Sequence, residues 1–151
     1  MNVGSICQGD VVTTRPGDDL CVAARLMRER HVGFLIVVEP TTSDADLKVI
    51  GVLTDRDIVV TVVAKEADAR TLKVEDIMTR NPLLISDSCS LEVALRHMRD
   101  AGVRRVPVVG GRTQLVGVLS LDDVLDAFAG QLSDVAGAIR SEQHIERTAR
   151  P

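Results

Sequence analysis

A chain of 151 residues that is 45% apolar can bury an ordinary core and is neither disordered nor fibrous. Its net charge of −4, with no Trp or Tyr and only two Phe, argues against nucleic-acid binding, which wants a basic footprint and, for single strands, stacking aromatics. No run approaches the roughly 20 apolar residues of a bilayer span, and no basic-then-apolar leader opens the chain, so a soluble cytoplasmic protein is expected.

In chain order, residues 1–10 read as a short lead-in, residues 11–14 as an edge strand, and Arg15-Pro16-Gly17 as a turn. Asp18 and Asp19 suit the start of a helix, and Val22, Ala23, Leu26 and Met27 give it an apolar stripe. That helix should end near Arg30, with Gly33 as its stop. The β-branched run 34–38 suits a strand buried on both faces. Residues 39–48 read as a solvent loop, 49–53 as the next strand, and a helix from Asp55 carries Ile58, Val59, Val62 and Val63. Polar residues 65–73 join two halves. One helical turn (74–78), a break at Asn81-Pro82 and a short strand (83–85) follow. Ser90 caps a helix with Leu91, Ala94, Leu95 and Met98 on one face, ending at Gly102; strands at 106–109 and 115–119 flank a Gly110-Gly111 turn.

Beyond residue 120, Val124, Phe128, Leu132, Val135 and Ile139 recur on one face of a helix. Gly130 and Gly137 weaken that helix without necessarily breaking it, and the polar tail after it is expected to fray. The stripe can lie on the protein's own core or clasp a second copy; the second is preferred. Cys7, Cys21 and Cys89 lack C-x-x-C spacing and read as small, half-buried hydrophobes, while His31, His97 and His144 have no ligand-like spacing. No Ser-His-Asp set, metal cluster or P-loop can be assembled, so neither an enzyme nor a required cofactor is expected.

One sentence is written twice: Gly51-Val52-Leu53-Thr54-Asp55-Arg56-Asp57-Ile58 and Gly117-Val118-Leu119-Ser120-Leu121-Asp122-Asp123-Val124. A strand that breaks into a helix at a hydroxyl residue exposes backbone N–H groups that favour a phosphate, and an Asp three residues on can accept from ribose hydroxyls. The same residues also spell a capping box, in which hydroxyl and carboxylate satisfy the helix's own first N–H groups. The repetition extends further. The helix residues Ala23 to Met27 align with Ala94 to Met98, and Gly33 with Arg104, at an offset of 71; Thr54 aligns with Ser120 at 66. Each unit reads β-α-β-β-α, too small to bury its own core, so two such sheets should pack face to face.

With Val-Gly-Phe-Leu-Ile-Val-Val (32–38) and Val-Arg-Arg-Val-Pro-Val-Val (103–109) beside the two motifs, and Ile77-Met78-Thr79-Arg80-Asn81-Pro82 between them, the chain resembles a tandem cystathionine β-synthase (CBS) domain pair, or Bateman module. The resemblance covers about residues 5 to 128. It implies an α/β fold of the α+β type: two β-α-β-β-α repeats (5–66 and 74–128) packed sheet to sheet with pseudo-twofold symmetry, plus a C-terminal helical extension (129–147). It implies a regulatory module that binds an adenosine-containing ligand of the AMP or ATP class between the repeats. A homodimer and an unknown target protein in trans are expected, with no nucleic-acid or membrane partner. The alternative is a structural or adaptor homodimer with vestigial clefts.

By the same resemblance, one cleft uses Thr54 and Arg56 for phosphate and Asp57 for ribose. Leu83, Val103 and the backbone near Arg104 flank the base, with Thr79 nearby and Arg105 reaching for phosphate. The other uses Ser120 and Asp123 with Val12, Val32, Gly33 and Phe34. The sequence departs from symmetry here. Asp122 stands where the first motif has Arg56, and Gly33-Phe34 where the second repeat has Arg104-Arg105, so the second cleft should be empty or take an uncharged adenosyl group.

Overall fold

A computed structural model describes residues 1–40 and 47–149. Its architecture is that of a CBS domain pair: two small sheets packed against each other, with helices on their outer faces. The first sheet runs β1 (Thr13–Thr14), β2 (Phe34–Pro40), β3 (Leu47–Thr54), β4 (Thr79–Arg80), with β1 parallel to β2 and the other pairs antiparallel. The second runs β5 (Ile85–Ser86), β6 (Arg105–Val109), β7 (Leu115–Ser120) in the same sense. Helices α1 (Leu20–Arg30) and α2 (Asp55–Ile58) belong to the first repeat, α4 (Leu91–Ala101) and α5 (Leu121–Ala149) to the second, and α3 (Val74–Ile77) lies between them.

Alternation along the strands sets the layers. Leu35, Val37 and Leu53 face α1 together with Leu20, Ala23 and Met27, while Ile36, Val38 and Val49 face the other sheet and meet Val109. In the second repeat Val106, Val108 and Leu119 pack with Leu91, Ala94 and Met98. Each unit therefore has a helix-facing core of its own and shares a third core between the sheets. The duplication reaches fine detail: register shifts fall between Val37 and Val38 in one hairpin and between Val108 and Val109 in the other, again 71 apart.

The two lead-in segments are exchanged. Val3, buried and expected only as lead-in, packs in the second repeat's core; its N–H donates to the Cys89 carbonyl at 2.9 Å. Its equivalent, Val74, packs in the first repeat's core and donates to the Asp18 carbonyl at 3.0 Å. The motif glycines make room for this crossing. A Cβ on Gly51 would lie 2.9 Å from the Thr79 carbonyl oxygen, and one on Gly117 would lie 2.4 Å from that of Gln8.

Several expectations are corrected. His31, not Gly33, takes the left-handed position that ends α1 (φ 55°), and its N–H donates to the Met27 carbonyl. Gly102 does the same for α4 at φ 66°. Gly33 is needed for another reason: a Cβ there would lie 2.5 Å from the Asp55 carboxylate. The helix from Asp55 widens into a π-helical turn over Val59–Val63, which buries Val62 but leaves Val59 and Val63 exposed. Of the expected loop at 39–48, strand β2 takes Glu39 and Pro40 and β3 takes Leu47 and Lys48; residues 41–46 lie outside the described residues. The short strand expected at 83–85 is β5, which begins only at Ile85 and ends at Ser86.

The tail after residue 139 is helical to Ala149, so α5 is one continuous helix of 29 residues through both glycines. Its apolar stripe divides: Val124 is buried in the second repeat's core, whereas Phe128, Leu132, Val135 and Ile139, with Leu125, are exposed by 41–71%. Among the described residues no helix is long and apolar enough to cross a membrane.

Candidate functional site

The geometry of both motifs follows from their strand-to-helix breaks. At the first, the Asp57 N–H donates to Thr54 Oγ1 (3.0 Å) and the Thr54 N–H donates to Asp57 Oδ2 (2.8 Å). The capping box is therefore formed. It leaves two groups uncommitted among the described residues: the Thr54 hydroxyl proton and the second carboxylate oxygen of Asp57. At the second, the same reciprocal pair is made (3.1 Å each way). Here the Ser120 hydroxyl also donates to Asp123 Oδ2, and the Gln8 amide donates to Asp123 Oδ1 at 3.1 Å. One motif has spare donor and acceptor capacity; the other has spent both.

The clefts differ accordingly. The first, of about 620 Å³, brings together Thr54, Arg56, Asp57, Thr79, Leu83, Val103, Arg104 and Arg105, every residue expected there. Its volume falls within the range of small-molecule sites, roughly 300–1,000 Å³. The second, of about 290 Å³, brings together Val12, Val32, Gly33, Phe34, Ser120 and Asp123. Leu83 and Val103, like Val12 and Val32, pack on their repeat's core and line a cleft at once.

Among the described residues three arginines and two carboxylates, Asp55 and Asp57, line the first cleft. Asp55 went unnoticed in the sequence; its Oδ1 accepts from the Arg56 N–H at 2.8 Å, and its other oxygen occupies the space over Gly33. In the second cleft, among the described residues, the carboxylates of Asp10 and Asp123 share the lining with a single arginine, Arg105, and with His31. Sequence reasoning also missed Gln8 and Asp10. They are the 71-residue counterparts of Thr79 and Asn81, which line the first cleft, so the offset itself contained the signal.

Asp122 requires a correction. It does not line the second cleft; it turns to the first cleft's arginines, lying 3.8 Å from both Arg104 and Arg105. The Leu121 N–H, donating to the Arg104 carbonyl at 3.0 Å, holds the start of α5 against that turn, just as the Asp55 N–H donates to the Gly33 carbonyl at 3.0 Å. All three side chains of the ion-paired cluster are 46–77% exposed, so the pairs are weak and open to exchange with a better anion.

The other titratable groups lie elsewhere. Burial, reinforced by Asp87 and Asp123, pushes the Cys7 thiol above its ordinary range, against the lowering effect of a backbone hydrogen bond. Among the described residues no group of His, Cys, Asp and Glu is arranged to hold a metal.

Comparison with known proteins agrees with this picture. The CBS domain model matches residues 3–64 and 74–130. An uncharacterised protein of Methanopyrus kandleri is 28% identical over 83% of this chain and 61% of its own length. Inosine-5′-monophosphate dehydrogenase of Methanocaldococcus jannaschii is 31% identical over 77% of this chain but only 21% of the enzyme, so the chain matches a minor part of that protein. Hypoxic response protein 1 of Mycobacterium tuberculosis is 33% identical over 82% of this chain and 78% of that one. Among solved structures, CBSX2 in complex with AMP superposes with a TM-score of 0.70 at 28% identity, covering 87% of this chain and 98% of that one. With both repeats matched and the exchanged two-sheet architecture in place, the chain belongs to the CBS domain family.

Proposed function

We propose that this protein is a regulatory module that binds an adenosine-containing ligand of the AMP class in its first cleft and signals to a separate partner. The observation that carries the reading is that Arg56 of one repeat and Arg104 and Arg105 of the other line the same largely apolar cleft of about 620 Å³. Arg binds phosphate through charge-assisted, often bidentate hydrogen bonds. In this reading the uncommitted Thr54 hydroxyl adds a donor to the phosphate, the second oxygen of Asp57 accepts from the ribose, and Leu83 and Val103 sandwich the base. The AMP complex of CBSX2 supports the ligand class. Calorimetry with AMP and adenosine tests it. Arg56→Ala and Arg105→Ala should each weaken AMP about tenfold or more while leaving adenosine nearly unchanged. Equal losses for the two ligands, or no binding by wild type, would overturn the phosphate assignment.

The adaptor reading has one observation in its favour, namely that both capping boxes are complete without any ligand. It forecasts no thermal shift with AMP, ATP or S-adenosylmethionine at millimolar concentration, whereas a native-state ligand must raise stability by mass action.

Both readings share a homodimer clasped by α5. Leu125, Phe128, Leu132, Val135 and Ile139 are spaced 3, 4, 3 and 4, the heptad pattern of a helix that pairs with another helix, and they are exposed in the single chain. Sedimentation equilibrium at micromolar concentration should give a dimer for wild type and a 16.3 kDa monomer for Leu132→Glu. A monomeric wild type rules the clasp out.

A further inference from the structure

Phe34 and Arg105 hold the same place in the two repeats. Phe34 opens β2 opposite Thr54, and Arg105 opens β6 opposite Ser120. Each lines both clefts. The two cavities therefore share part of their wall, to which one repeat contributes an aromatic ring and the other a guanidinium. For the first cleft Arg105 is one of three arginines. For the second it is the sole arginine lining the cavity among the described residues, facing the carboxylates of Asp10 and Asp123. Its Asp122 tether is long, at 3.8 Å, and exposed, so the guanidinium can turn to either side.

A phosphate in a small cleft needs a cation near it, since unpaired like charges a few ångströms apart repel strongly outside bulk water. Once Arg105 has turned to an anion in the first cleft, the second is lined by two carboxylates and no arginine. An anion there faces two carboxylates with no guanidinium to offset them and only the His31 ring beside it, while a ligand without phosphate escapes that repulsion. The converse holds by linkage. We propose that Arg105 is a shared anion ligand that makes the two clefts mutually exclusive for phosphate-bearing nucleotides. The chain then holds one such nucleotide, in the first cleft, and leaves the second for a nucleoside that carries no phosphate. The inference rests on the nucleotide reading of the first cleft.

Calorimetry and native mass spectrometry with AMP and with adenosine test both together. For wild type we expect one AMP per chain, a second AMP binding at least about 30-fold more weakly, within the usual span of coupling between sites. Adenosine should bind twice per chain, its two dissociation constants within about fivefold. Phe34→Arg puts a second guanidinium at the equivalent boundary position and should bring the second AMP to within about fivefold of the first; circular dichroism checks that the variant is folded. Two independent, equal AMP sites in wild type overturn the sharing and leave the nucleotide reading intact. One AMP and one adenosine per chain also overturn it, because the second cleft is then simply closed. A folded Phe34→Arg still limited to one AMP refutes the role of the missing cation. No binding of either ligand overturns the nucleotide reading, and the sharing with it.

Discussion

Replacing Asp57 separates the two jobs that its carboxylate can do. In the structure Asp57 Oδ2 accepts from the Thr54 N–H at 2.8 Å in a half-buried position at the start of α2. Asp57→Ala leaves that N–H without its acceptor, which costs about 1–3 kcal/mol when burial is complete and less when it is partial. It also removes a negative charge from a helix N-terminus, worth about 0.3–1 kcal/mol. A total of about 2 kcal/mol corresponds to a fall in Tm of roughly 4–8 °C for a domain of this size. Asp57→Asn keeps an acceptor oxygen for the cap and loses the charge alone, so its Tm should fall by no more than about 3 °C. Ligand binding orders the variants differently. In the proposed nucleotide reading the ribose donates to the charged Asp57 carboxylate, so both variants should lose about tenfold or more in AMP affinity. Differential scanning fluorimetry without ligand and calorimetry with AMP supply the two readouts. An Asp57→Ala protein that melts with wild type would refute the energetic weight given to the cap. Wild-type AMP affinity in Asp57→Asn would refute the contact with ribose.

Other outcomes follow from the fold. Gly117→Ala should destabilise by about 1–3 kcal/mol, since its Cβ would lie 2.4 Å from a backbone oxygen, while Gly111→Ala, with nothing within 4 Å, should melt close to wild type; equal melting of the two would deny the close approach. Leu53→Ala and Leu119→Ala remove fully buried side chains at equivalent places and should each cost about 2–5 kcal/mol in urea unfolding. A loss under 1 kcal/mol at either site would mean that its core collapses around the gap. Because the Cys7 thiol is pushed up by burial, its reactive thiolate is scarce at pH 7.5 and accumulates only as pH rises through that elevated range. Peptide mapping after brief iodoacetamide treatment should find Cys7 labelled more slowly than glutathione at pH 7.5; faster labelling contradicts the burial argument.

Much of this was legible in the sequence because duplication printed each signal twice. The strands at 34–38 and 106–109, the capped helices and the hydroxyl-x-x-Asp breaks all carry local chemistry that a reader can follow. Many of the residues that line the two clefts came from the family resemblance, whereas Asp55, Gln8 and Asp10 were passed over. Topology hid the rest. Nothing local tells Val3 that its core belongs to the other repeat, and only the 71-residue match to Val74 hints at the exchange. His31 took the left-handed cap expected near Gly33 because α1 ends at Arg30, and Gly33 serves instead as the small residue under the Asp55 carboxylate. Asp122 was misjudged because a side chain at a helix start can turn towards either neighbour, and the two arginines across the turn decided which.

The continuity of α5 has a mechanical side. A helix of 29 residues is a rod of about 43 Å. Its first turn carries Asp122 and Asp123, one touching the arginines of the larger cleft and the other closing the smaller. A rod held at its first turn beside both clefts has the geometry of a lever. A tilt of about 10° at the first turn displaces the far end by roughly 7 Å, more than one helical pitch. A small change of angle at the clefts would thereby become a large displacement along the helix.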